Sequence, residues 1–275
     1  MPFNETLRRR IRERKSMVCV GLDVDPARLP APLRDKPDPL FRFLKGIIEA
    51  TSSLVLAYKP NLAFYESLGV EGWDLLRRTL RLIPEGIIKI GDAKRGDIGS
   101  TAEKYASALF DLGFDAVTVN PYLGRDTVTP FVRDPEKGCF LLCLTSNPSS
   151  HDFQYLRAEG KCLYEHIAER AGVWNDGGNV GLVVGATHPR ELSGLRRIAP
   201  DLPFLIPGIG AQGGDLEAAV MNGGDASGES VVINSSRAIL YASSGADFAD
   251  MAAVQTSMLR DAIAAAQEKK RAARL

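Results

Sequence analysis

Residues 86–97 read GIIKIGDAKRGD, a run of mostly apolar side chains that ends abruptly in charged ones. The apolar part does not alternate strictly with polar residues, since Ile87 and Ile88 are adjacent. Strands with this pattern are usually buried on both faces, as in a parallel sheet. The stretch therefore predicts a buried parallel strand that presents charged groups at its carboxyl end.

Seven further runs share this character, and segments with helical periodicity separate them. The eight runs are residues 17–23, 54–60, 86–94, 116–121, 139–146, 180–187, 202–210 and 229–236. Eight strands that alternate with helices predict a (β/α)8 TIM barrel of the α/β class. A doubly wound open sheet is the main alternative.

The length of 275 residues suits one such barrel, which typically takes about 250 residues. No Pro/Ser-rich linker interrupts the chain, so we expect residues 1–275 to form a single domain. The last stretch, residues 247–275, is predicted to be one long amphipathic helix. We interpret its basic end, residues 269–271 (KKR), as a solvated helix terminus rather than a partner-binding segment.

The composition excludes several classes of protein. Lys+Arg and Asp+Glu are balanced at 34 each, which argues against a nucleic-acid-binding protein. The N-terminus lacks the apolar core of a signal peptide, and no apolar run approaches the roughly 20 residues that span a membrane. We therefore expect a cytoplasmic protein with no membrane partner, in which the cysteines are reduced and buried. These cysteines are Cys19, Cys139, Cys143 and Cys162.

Charged residues accumulate where the predicted strands end, and reactive groups of β/α barrels lie at that end. Asp92 and Lys94 are two residues apart on one strand, so their side chains should point to the same side. A lysine beside carboxylates stays protonated, which suits a proton donor better than a Schiff-base nucleophile. An isolated Asp-x-Lys pair can also be purely structural. Asp23 and Lys59, at the ends of strands one and two, favour a reaction site instead.

A second group of residues indicates phosphate binding. Residues 208–214 (GIGAQGG) follow the seventh strand and lead into a helix, while Ser236 and Arg237 follow the eighth. Backbone N–H groups, a helix N-terminus and an arginine all suit a phosphate, and barrels often bind phosphate in these two loops. The glycines alone could serve tight turns only. We expect residues 213–228 to form a loop that closes over the site.

Other catalytic motifs are missing from the sequence. The three histidines, His151, His166 and His188, lack the H-E-x-x-H spacing of a zinc protease. There is also no G-x-S-x-G elbow and no Walker A motif. These absences leave the Asp92–Asp97 region as the main candidate for chemistry.

Taken together, these motifs resemble the orotidine 5′-phosphate decarboxylase family, in its longer bacterial form. The specific element is residues 92–101 (DAKRGDIGST), and weaker matches are residues 58–61 (YKPN), 144–148 (LTSNP), 207–214 (PGIGAQGG) and Arg237. The matches follow the order of the family from the first strand to the last. The resemblance implies decarboxylation of orotidine 5′-phosphate to uridine 5′-phosphate and CO2, the last step of de novo pyrimidine nucleotide synthesis, without metal, flavin or pyridoxal.

The resemblance also implies a role for each matching residue. Lys94 would donate a proton to C6 of the pyrimidine, Asp92 would lie against the substrate carboxylate, and Lys59 would bridge Asp92 and the ribose. Asp97 would be the fourth catalytic residue and, with Ile98 and Thr101, would complete the site of the neighbouring subunit in a homodimer. The remaining substrate-binding residues would be Asp23 for the ribose, Ser146 for the pyrimidine, and Gln212, Ser236 and Arg237 on the phosphate side.

Two alternative functions stay open at this point. The first is a related Mg²⁺-dependent sugar-phosphate decarboxylase or aldolase-like synthase, which dependence on added metal would reveal. The second is a catalytically silent protein that binds nucleotide phosphates. The complete set of Lys59, Asp92, Lys94 and Asp97 argues against a silent binder, because binding alone does not need a buried charge array.

Overall fold

A closed barrel of eight parallel strands forms the centre of the computed structural model, which describes residues 1–209, 215–225 and 228–272. Around the barrel the strand order is β1-β2-β3-β4-β5-β8-β9-β10, and β10 pairs with β1. The short strands β6 and β7 form a separate antiparallel hairpin. The strands are β1 (Val18–Gly21), β2 (Ala57–Lys59), β3 (Ile88–Arg95), β4 (Ala116–Val119), β5 (Gly138–Leu144), β6 (Arg157–Ala158), β7 (Lys161–Cys162), β8 (Val180–Val184), β9 (Phe204–Pro207) and β10 (Val231–Ser235).

Each barrel strand coincides with one of the eight runs identified from the sequence, with β3 and β5 extending one residue beyond theirs, to Arg95 and Gly138. The TIM barrel is therefore confirmed and the open sheet is wrong. All residues of β1, β4, β8 and β10 are buried, as expected for strands covered on both faces. The closed arrangement brings the carboxyl ends of all eight strands to one rim.

The helices form a layer around this barrel. In α2, Phe43, Leu44 and Ile47 face the core, as their spacing predicts. Within the described residues, no helix is both long and apolar enough to cross a lipid bilayer. The helices are α1 (Phe3–Arg14), α2 (Pro39–Thr51), α3 (Leu62–Glu66), α4 (Val70–Leu82), α5 (Gly99–Asp111), α6 (Arg125–Val132), α7 (Leu163–Val173), α8 (Pro189–Ile198), α9 (Leu216–Gly223), α10 (Arg237–Leu240) and α11 (Phe248–Ala272).

Helix α1, which the sequence analysis did not predict, closes the amino end of the barrel. Phe3, Leu7 and Ile11 are buried on its inner face. The ring of Phe3 meets that of Phe140 edge to face, with 6.0 Å between centroids. The Asn4 side chain donates a hydrogen bond to the carbonyl of Val180 at the start of β8. The chain therefore begins with an apolar plug under the barrel.

One prediction about the C-terminal part of the chain is wrong, and a second needs an addition. Residues 213–228 do not form one closing loop, because α9 occupies Leu216–Gly223; residues 213–214 and 226–227 lie outside the described part. The basic end of α11 is exposed at Lys269, whose side chain is 60% accessible, and at Arg271, but it also contacts α9. Lys269 pairs with Glu217, and Lys270 donates to the carbonyl of Met221 at 2.6 Å. The negative C-terminal end of α9 attracts this lysine.

Two long connections between barrel strands and helices contain short elements at the carboxyl rim. The connection after β1 forms the 3-10 helices Pro26–Arg28 and Ala31–Leu33. The connection after β5 forms the 3-10 helix Pro148–Asp152 and the hairpin β6–β7. Both segments therefore border the rim where the candidate site lies.

Candidate active site

Two adjoining cavities open at the carboxyl rim of the barrel. The first, of about 440 Å³, is lined by Arg28 and Arg237 and is called the arginine cavity below. The second, of about 370 Å³, is lined by Lys94 and is called the Lys94 cavity. Lys59, Asp92 and Pro207 line both. Each volume lies in the range of small-molecule pockets, so together they can hold an elongated ligand that passes over Asp92.

The carboxylate of Asp92 is the centre of the site. The ammonium of Lys59 donates to Oδ2 at 2.7 Å, and that of Lys94 donates to Oδ1 at 2.6 Å. The hydroxyl of Thr118 donates to the same Oδ1 at 3.0 Å. The side chains of Lys59 and Asp92 are only 5% and 12% exposed, whereas that of Lys94 is 49% exposed. Lys94 is thus the member of the cluster that a ligand can reach most freely.

Burial and charge act in opposite directions on this cluster. Burial alone would raise the pKa of Asp92, but the positive charges of Lys59 and Lys94 lower it far below its usual value. Burial alone would lower the pKa of Lys59, but the negative charges of Asp92 and Asp23 raise it well above the ordinary value. Lys59 and Asp92 therefore stay ionised at neutral pH.

A local distortion of β3 produces the contact between Asp92 and Lys94. Gly91 pairs with Val117 and Arg95 pairs with Val119, so three residues of β3 lie opposite one residue of β4. Lys94 adopts a left-handed backbone conformation with φ +49°, and its N–H donates to the Thr118 hydroxyl at 3.0 Å. The two side chains do meet, but through this bulge rather than through regular strand alternation. Such distortions are frequent beside functional sites.

The arginine cavity offers hydrogen-bond acceptors to a ligand. Oδ1 of Asp23 and Oδ1 of Asn234 are buried, and neither has a hydrogen-bond partner among the described residues. Both side chains line this cavity, together with Ser236 and Arg237 at the start of α10. Unpaired buried acceptors are costly, so they indicate a ligand that supplies donors, such as the hydroxyls of a sugar.

The Lys94 cavity combines an apolar floor with polar groups at one edge. Leu142, Val183 and Leu205 supply the apolar surface, and Ser146 lies on the loop after β5. Gln154 fixes the preceding residue of this loop, Thr145: its side chain accepts from the backbone N–H of Thr145 and donates to its hydroxyl, both at 2.8 Å. His188 Nε2 lies 3.0 Å from the Thr145 carbonyl. A flat, partly polar ring suits this cavity.

The remaining residues proposed from the sequence lie elsewhere. Asp97, Ile98 and Thr101 line neither cavity in the part of the chain that the structure describes, and the Ile98 side chain is 63% exposed. The carboxylate of Asp97 accepts from the N–H of Ile98 at 2.8 Å. Gln212 lies outside the described residues. The structure thus brings together the other predicted residues: Asp23, Lys59, Asp92, Lys94, Ser146, Ser236 and Arg237.

Two residues of the site were missed in the sequence analysis. Thr118 joins Lys94 to Asp92 by hydrogen bonds, and Asn234 places an unpaired acceptor in the arginine cavity. Each is a polar residue inside a buried and mostly apolar strand, β4 or β10. That contrast with its neighbours is the signal that could have identified both, because buried polar groups need partners.

The described residues contain no cluster of three or more His, Cys, Asp or Glu side chains arranged to hold a metal ion. The four cysteines are buried, as predicted from their apolar surroundings. Burial raises the pKa of the Cys19 thiol to about 12, which makes it a poor nucleophile at neutral pH. The reactive groups available at the rim are therefore the ammonium and carboxylate groups.

Comparisons with known proteins identify the family to which this chain is similar. Residues 16–252 match the model of the "Orotidine 5′-phosphate decarboxylase / HUMPS family". The chain is 51% identical to orotidine 5′-phosphate decarboxylase of Dehalococcoides mccartyi over 268 residues, covering 96% of this chain and 97% of the relative. It is also 51% identical to that of Roseiflexus sp. strain RS-1 over 269 residues, covering 97% and 98%.

Solved structures give the same result. The structure of Leishmania donovani OMP decarboxylase superposes with a TM-score of 0.81 at 42% identity, covering 95% of this chain and 99% of that one. The fold and the enzyme class predicted from the sequence, a carboxy-lyase built on a TIM barrel, are thereby confirmed. This chain belongs to the orotidine 5′-phosphate decarboxylase family.

Proposed function

We propose that this enzyme converts orotidine 5′-phosphate to uridine 5′-phosphate and CO2 without a cofactor, through a carbanion at C6 that Lys94 protonates. The reaction is the last step of de novo pyrimidine nucleotide synthesis, which we place in the cytoplasm. The observation that carries the proposal is the contact between Asp92 and Lys94, 2.6 Å apart at the junction of two cavities. The names and the close similarity of the relatives support the choice of substrate.

The two cavities accommodate the parts of this nucleotide in order. The pyrimidine would occupy the Lys94 cavity, between its apolar floor and Ser146. The ribose would pass over Lys59 and donate its hydroxyls to Asp23 and Asn234, whose acceptors are unpaired among the described residues. The phosphate would lie in the arginine cavity near Ser236 and Arg237, with Gln212 as a further ligand.

The chemistry follows from the charges at the junction. Cleavage of the bond between C6 and the carboxylate releases CO2 and leaves the electron pair on C6. The ammonium of Lys94 stabilises the developing negative charge and then transfers a proton to C6, after which solvent protonates the lysine again. The exposure of Lys94, at 49%, supports both contact with the substrate and reprotonation.

Asp92 would also disfavour the bound substrate before reaction. Two like charges about 4 Å apart repel by about 4 kcal/mol at an effective dielectric of about 20. Enzymes typically lower barriers by about 8–23 kcal/mol, so this repulsion covers only a part. Binding energy from the distant phosphate can hold the substrate against the repulsion. The phosphate contacts should therefore affect the rate although they lie far from C6.

A homodimer would complete the site. Asp97, Ile98 and Thr101 do not line the cavities of their own subunit, so we propose that they reach the site of a neighbouring copy. The exposure of nearby apolar side chains supports this arrangement, since Ile98 is 63% and Tyr122 is 80% exposed. Covering such side chains in a dimer interface would stabilise the pair of subunits.

A spectrophotometric assay tests the function. The purified protein is mixed with orotidine 5′-phosphate in the presence of EDTA, and the ultraviolet absorbance of the pyrimidine is followed. We expect rapid formation of uridine 5′-phosphate by the wild type and a loss of at least about 100-fold in kcat for Lys94→Ala, as for removal of a general acid. Lys89→Ala is the matched control, because Lys89 lies on the same strand but lines a groove with Phe3 instead.

Each other outcome has a distinct meaning. A folded wild type without turnover would overturn the proposal. Turnover of a sugar phosphate that appears only with added Mg²⁺ would identify the related metal-dependent class, and nucleotide binding without turnover would identify a silent binder. Equal activity of the wild type and Lys94→Ala would keep the reaction but refute the role of Lys94.

A further inference from the structure

Arg28 is an exposed arginine that the function described so far does not use. It ends the 3-10 helix Pro26–Arg28 and lines the same cavity as Arg237. Within the residues that the structure describes, neither guanidinium forms an ion pair or a hydrogen bond with another side chain. Asp23, Asp25 and Asp92 also line this cavity, but none of them forms an ion pair with either guanidinium. Two guanidiniums that are not engaged in ion pairs favour the binding of an anion beside them.

The ring of Tyr241 holds Arg28 at this position. The guanidinium carbon lies 3.9 Å from the centroid of the ring, in a cation–π contact. The ring also stacks on that of Phe43, with 5.7 Å between centroids and 10° between planes. The Tyr241 hydroxyl accepts from the N–H of Asp25 at 2.7 Å and donates to the carbonyl of Asp23 at 3.2 Å. Tyr241 is therefore fixed on several sides.

This stacking leaves the chemistry of Arg28 available. A guanidinium that lies flat on an aromatic ring still presents its N–H groups at its edges, where they can bind a phosphate through two parallel hydrogen bonds. The ring also limits the rotamers of a long side chain, so that less conformational entropy is lost when an anion binds. Arg28 is thus arranged for binding rather than for general solubility.

The distribution of charge identifies the anion. The proposed substrate carries a carboxylate on C6 and a phosphate on the ribose. The reaction requires the carboxylate near Asp92 and Lys94, and the ammoniums of Lys59 and Lys94 are both already paired with Asp92. In the described part of the two cavities, the cations that lack such a pairing are Arg28 and Arg237. Of the two anionic groups of the substrate, the phosphate is the one left to pair with them.

We infer that Arg28 is a second phosphate-binding residue, which acts together with Arg237 and selects substrates that carry a 5′-phosphate. This inference rests on the proposed function for the identity of the substrate. Tyr241 is its positioning residue. The loop after β1 thereby contributes to both the ribose site, through Asp23, and the phosphate site, through Arg28.

Kinetics with and without the phosphate test the inference. The variant Arg28→Gln is compared with the wild type for kcat/KM on orotidine 5′-phosphate and on orotidine, which lacks the phosphate. We expect the loss on the phosphorylated substrate to exceed the loss on orotidine by about 10–100-fold, the range of a lost hydrogen bond to a charged group. Arg42→Gln removes the same charge from an exposed position on α2 and should change neither value.

Direct binding separates this inference from the proposed function. Calorimetric titration with uridine 5′-phosphate and with inorganic phosphate needs no turnover, and Arg28→Gln should weaken the binding of both about 10-fold or more. If the wild type did not decarboxylate the substrate but bound both ligands more tightly than Arg28→Gln, the proposed function would be refuted and the phosphate site would be supported. Equal losses on both kinetic substrates, or equal affinity of the two proteins for uridine 5′-phosphate, would overturn the role of Arg28.

A pair of variants tests whether the ring of Tyr241 positions Arg28. Tyr241→Phe keeps the aromatic ring under Arg28, whereas Tyr241→Leu removes it, and thermal unfolding establishes that both are folded. The preference for the phosphorylated substrate should be largely retained in the first and reduced in the second. A reduction of the same size in both would contradict the stacking argument and assign the effect to the hydroxyl.

Discussion

The two ends of the barrel are built on opposite principles. At the amino end, α1 inserts Phe3, Leu7 and Ile11 under the strands as an apolar plug. At the carboxyl end, buried positions are occupied by the charges of Lys59 and Asp92, and unpaired acceptors line the cavity. Apolar burial stabilises a fold directly, whereas burial of charges is costly unless each one is paired.

This difference indicates what each end contributes. The amino end supplies free energy of folding. In the described residues of α1, the only groups suited to chemistry are exposed charges. The carboxyl end contributes little net stability, because the attraction between Lys59 and Asp92 mainly offsets their desolvation. Substitutions at the amino end should therefore reduce stability alone, and substitutions at the carboxyl end should reduce activity first.

The largest expected effect comes from Asp92→Asn. The variant loses the anion that positions Lys94, so kcat/KM should fall by at least about 100-fold. It also leaves the ammonium of Lys59 buried without its main partner, which should lower the free energy of unfolding by about 3–5 kcal/mol. Urea denaturation and the decarboxylation assay measure the two effects. Asp115→Asn is the control at the amino end, since an amide oxygen can still accept from Lys89 N–H.

The pH dependence of stability sharpens this prediction. Folding lowers the pKa of Asp92 in the wild type. Asp92 therefore adds to the free energy of unfolding above its unfolded pKa of about 3.9, and this contribution is lost as the pH falls below that value. Folding raises the pKa of Lys59. Lys59 therefore adds to the free energy of unfolding below its unfolded pKa of about 10.4, and this contribution is lost as the pH rises further. The contribution of the Lys59–Asp92 pair to the free energy of unfolding should therefore be the same at every pH between about 5 and 9.

Removal of Asp92 should reverse the behaviour of Lys59. Burial then dominates and lowers the pKa of the lysine, so that the unfolded state binds more protons than the folded state. The free energy of unfolding of Asp92→Asn should rise between pH 7 and pH 10. The difference in unfolding free energy between this variant and the wild type should therefore become smaller over the same range. A difference in unfolding free energy that stays constant over this range would contradict the argument that Lys59 is the source of the destabilisation.

A substitution at the opposite end should have the reverse profile. Phe3→Ala removes a buried ring that packs on Phe140, which should lower the free energy of unfolding by about 3–5 kcal/mol. The kinetic constants of the folded enzyme should not change, because the ring lies far from the carboxyl rim. Val70→Ala removes a side chain that is 77% exposed and should affect neither property. A change in KM with Phe3→Ala would show that the two ends are coupled.

The sequence predicted the barrel well because its strands are buried on both faces. Their apolar runs, such as residues 180–187, differ clearly from the helices between them, and each run contains one strand. Helix α1 was missed because seven of its twelve residues, FNETLRRRIRER, are charged, and only three widely spaced apolar residues mark its buried face. The prediction of one domain over residues 1–275 stays a prediction.

The site was predictable where the chain places charges at or near the carboxyl end of a strand, as at Asp23, Lys59 and Asp92. It was less predictable where a residue acts through the fold. Thr118 reaches Asp92 from the neighbouring strand only because β3 is bulged, and no local pattern reveals that register. Arg28 depends on Tyr241, which is more than 200 residues away in the chain and next to it in space. Sequence patterns therefore identify residues that are close along the chain better than residues that are close only in space.

The smallest expected effect concerns a glycine at the carboxyl end. A Cβ added at Gly21 would lie 1.9 Å from the hydroxyl of Ser236 and 2.9 Å from its Cβ, so Gly21→Ala must displace the residue that precedes Arg237. We expect kcat/KM for orotidine 5′-phosphate to fall about 3–10-fold, because the phosphate contacts supply binding energy on which the rate also depends.

The clash depends on the side chain of Ser236, which is itself a proposed substrate-binding residue, so the single variant Ser236→Gly is the reference for the double variant Gly21→Ala/Ser236→Gly. Adding Gly21→Ala to Ser236→Gly should cause little further loss of kcat/KM, because the atoms that clash are absent. Gly194→Ala is the matched control, since an added Cβ there meets no atom within 4 Å, and alanine in a helix should stabilise the protein by about 0.5–1 kcal/mol. If Gly21→Ala lowered the unfolding free energy without lowering kcat/KM, this position would behave like the amino end, and the assignment of stability to one end and binding to the other would be contradicted.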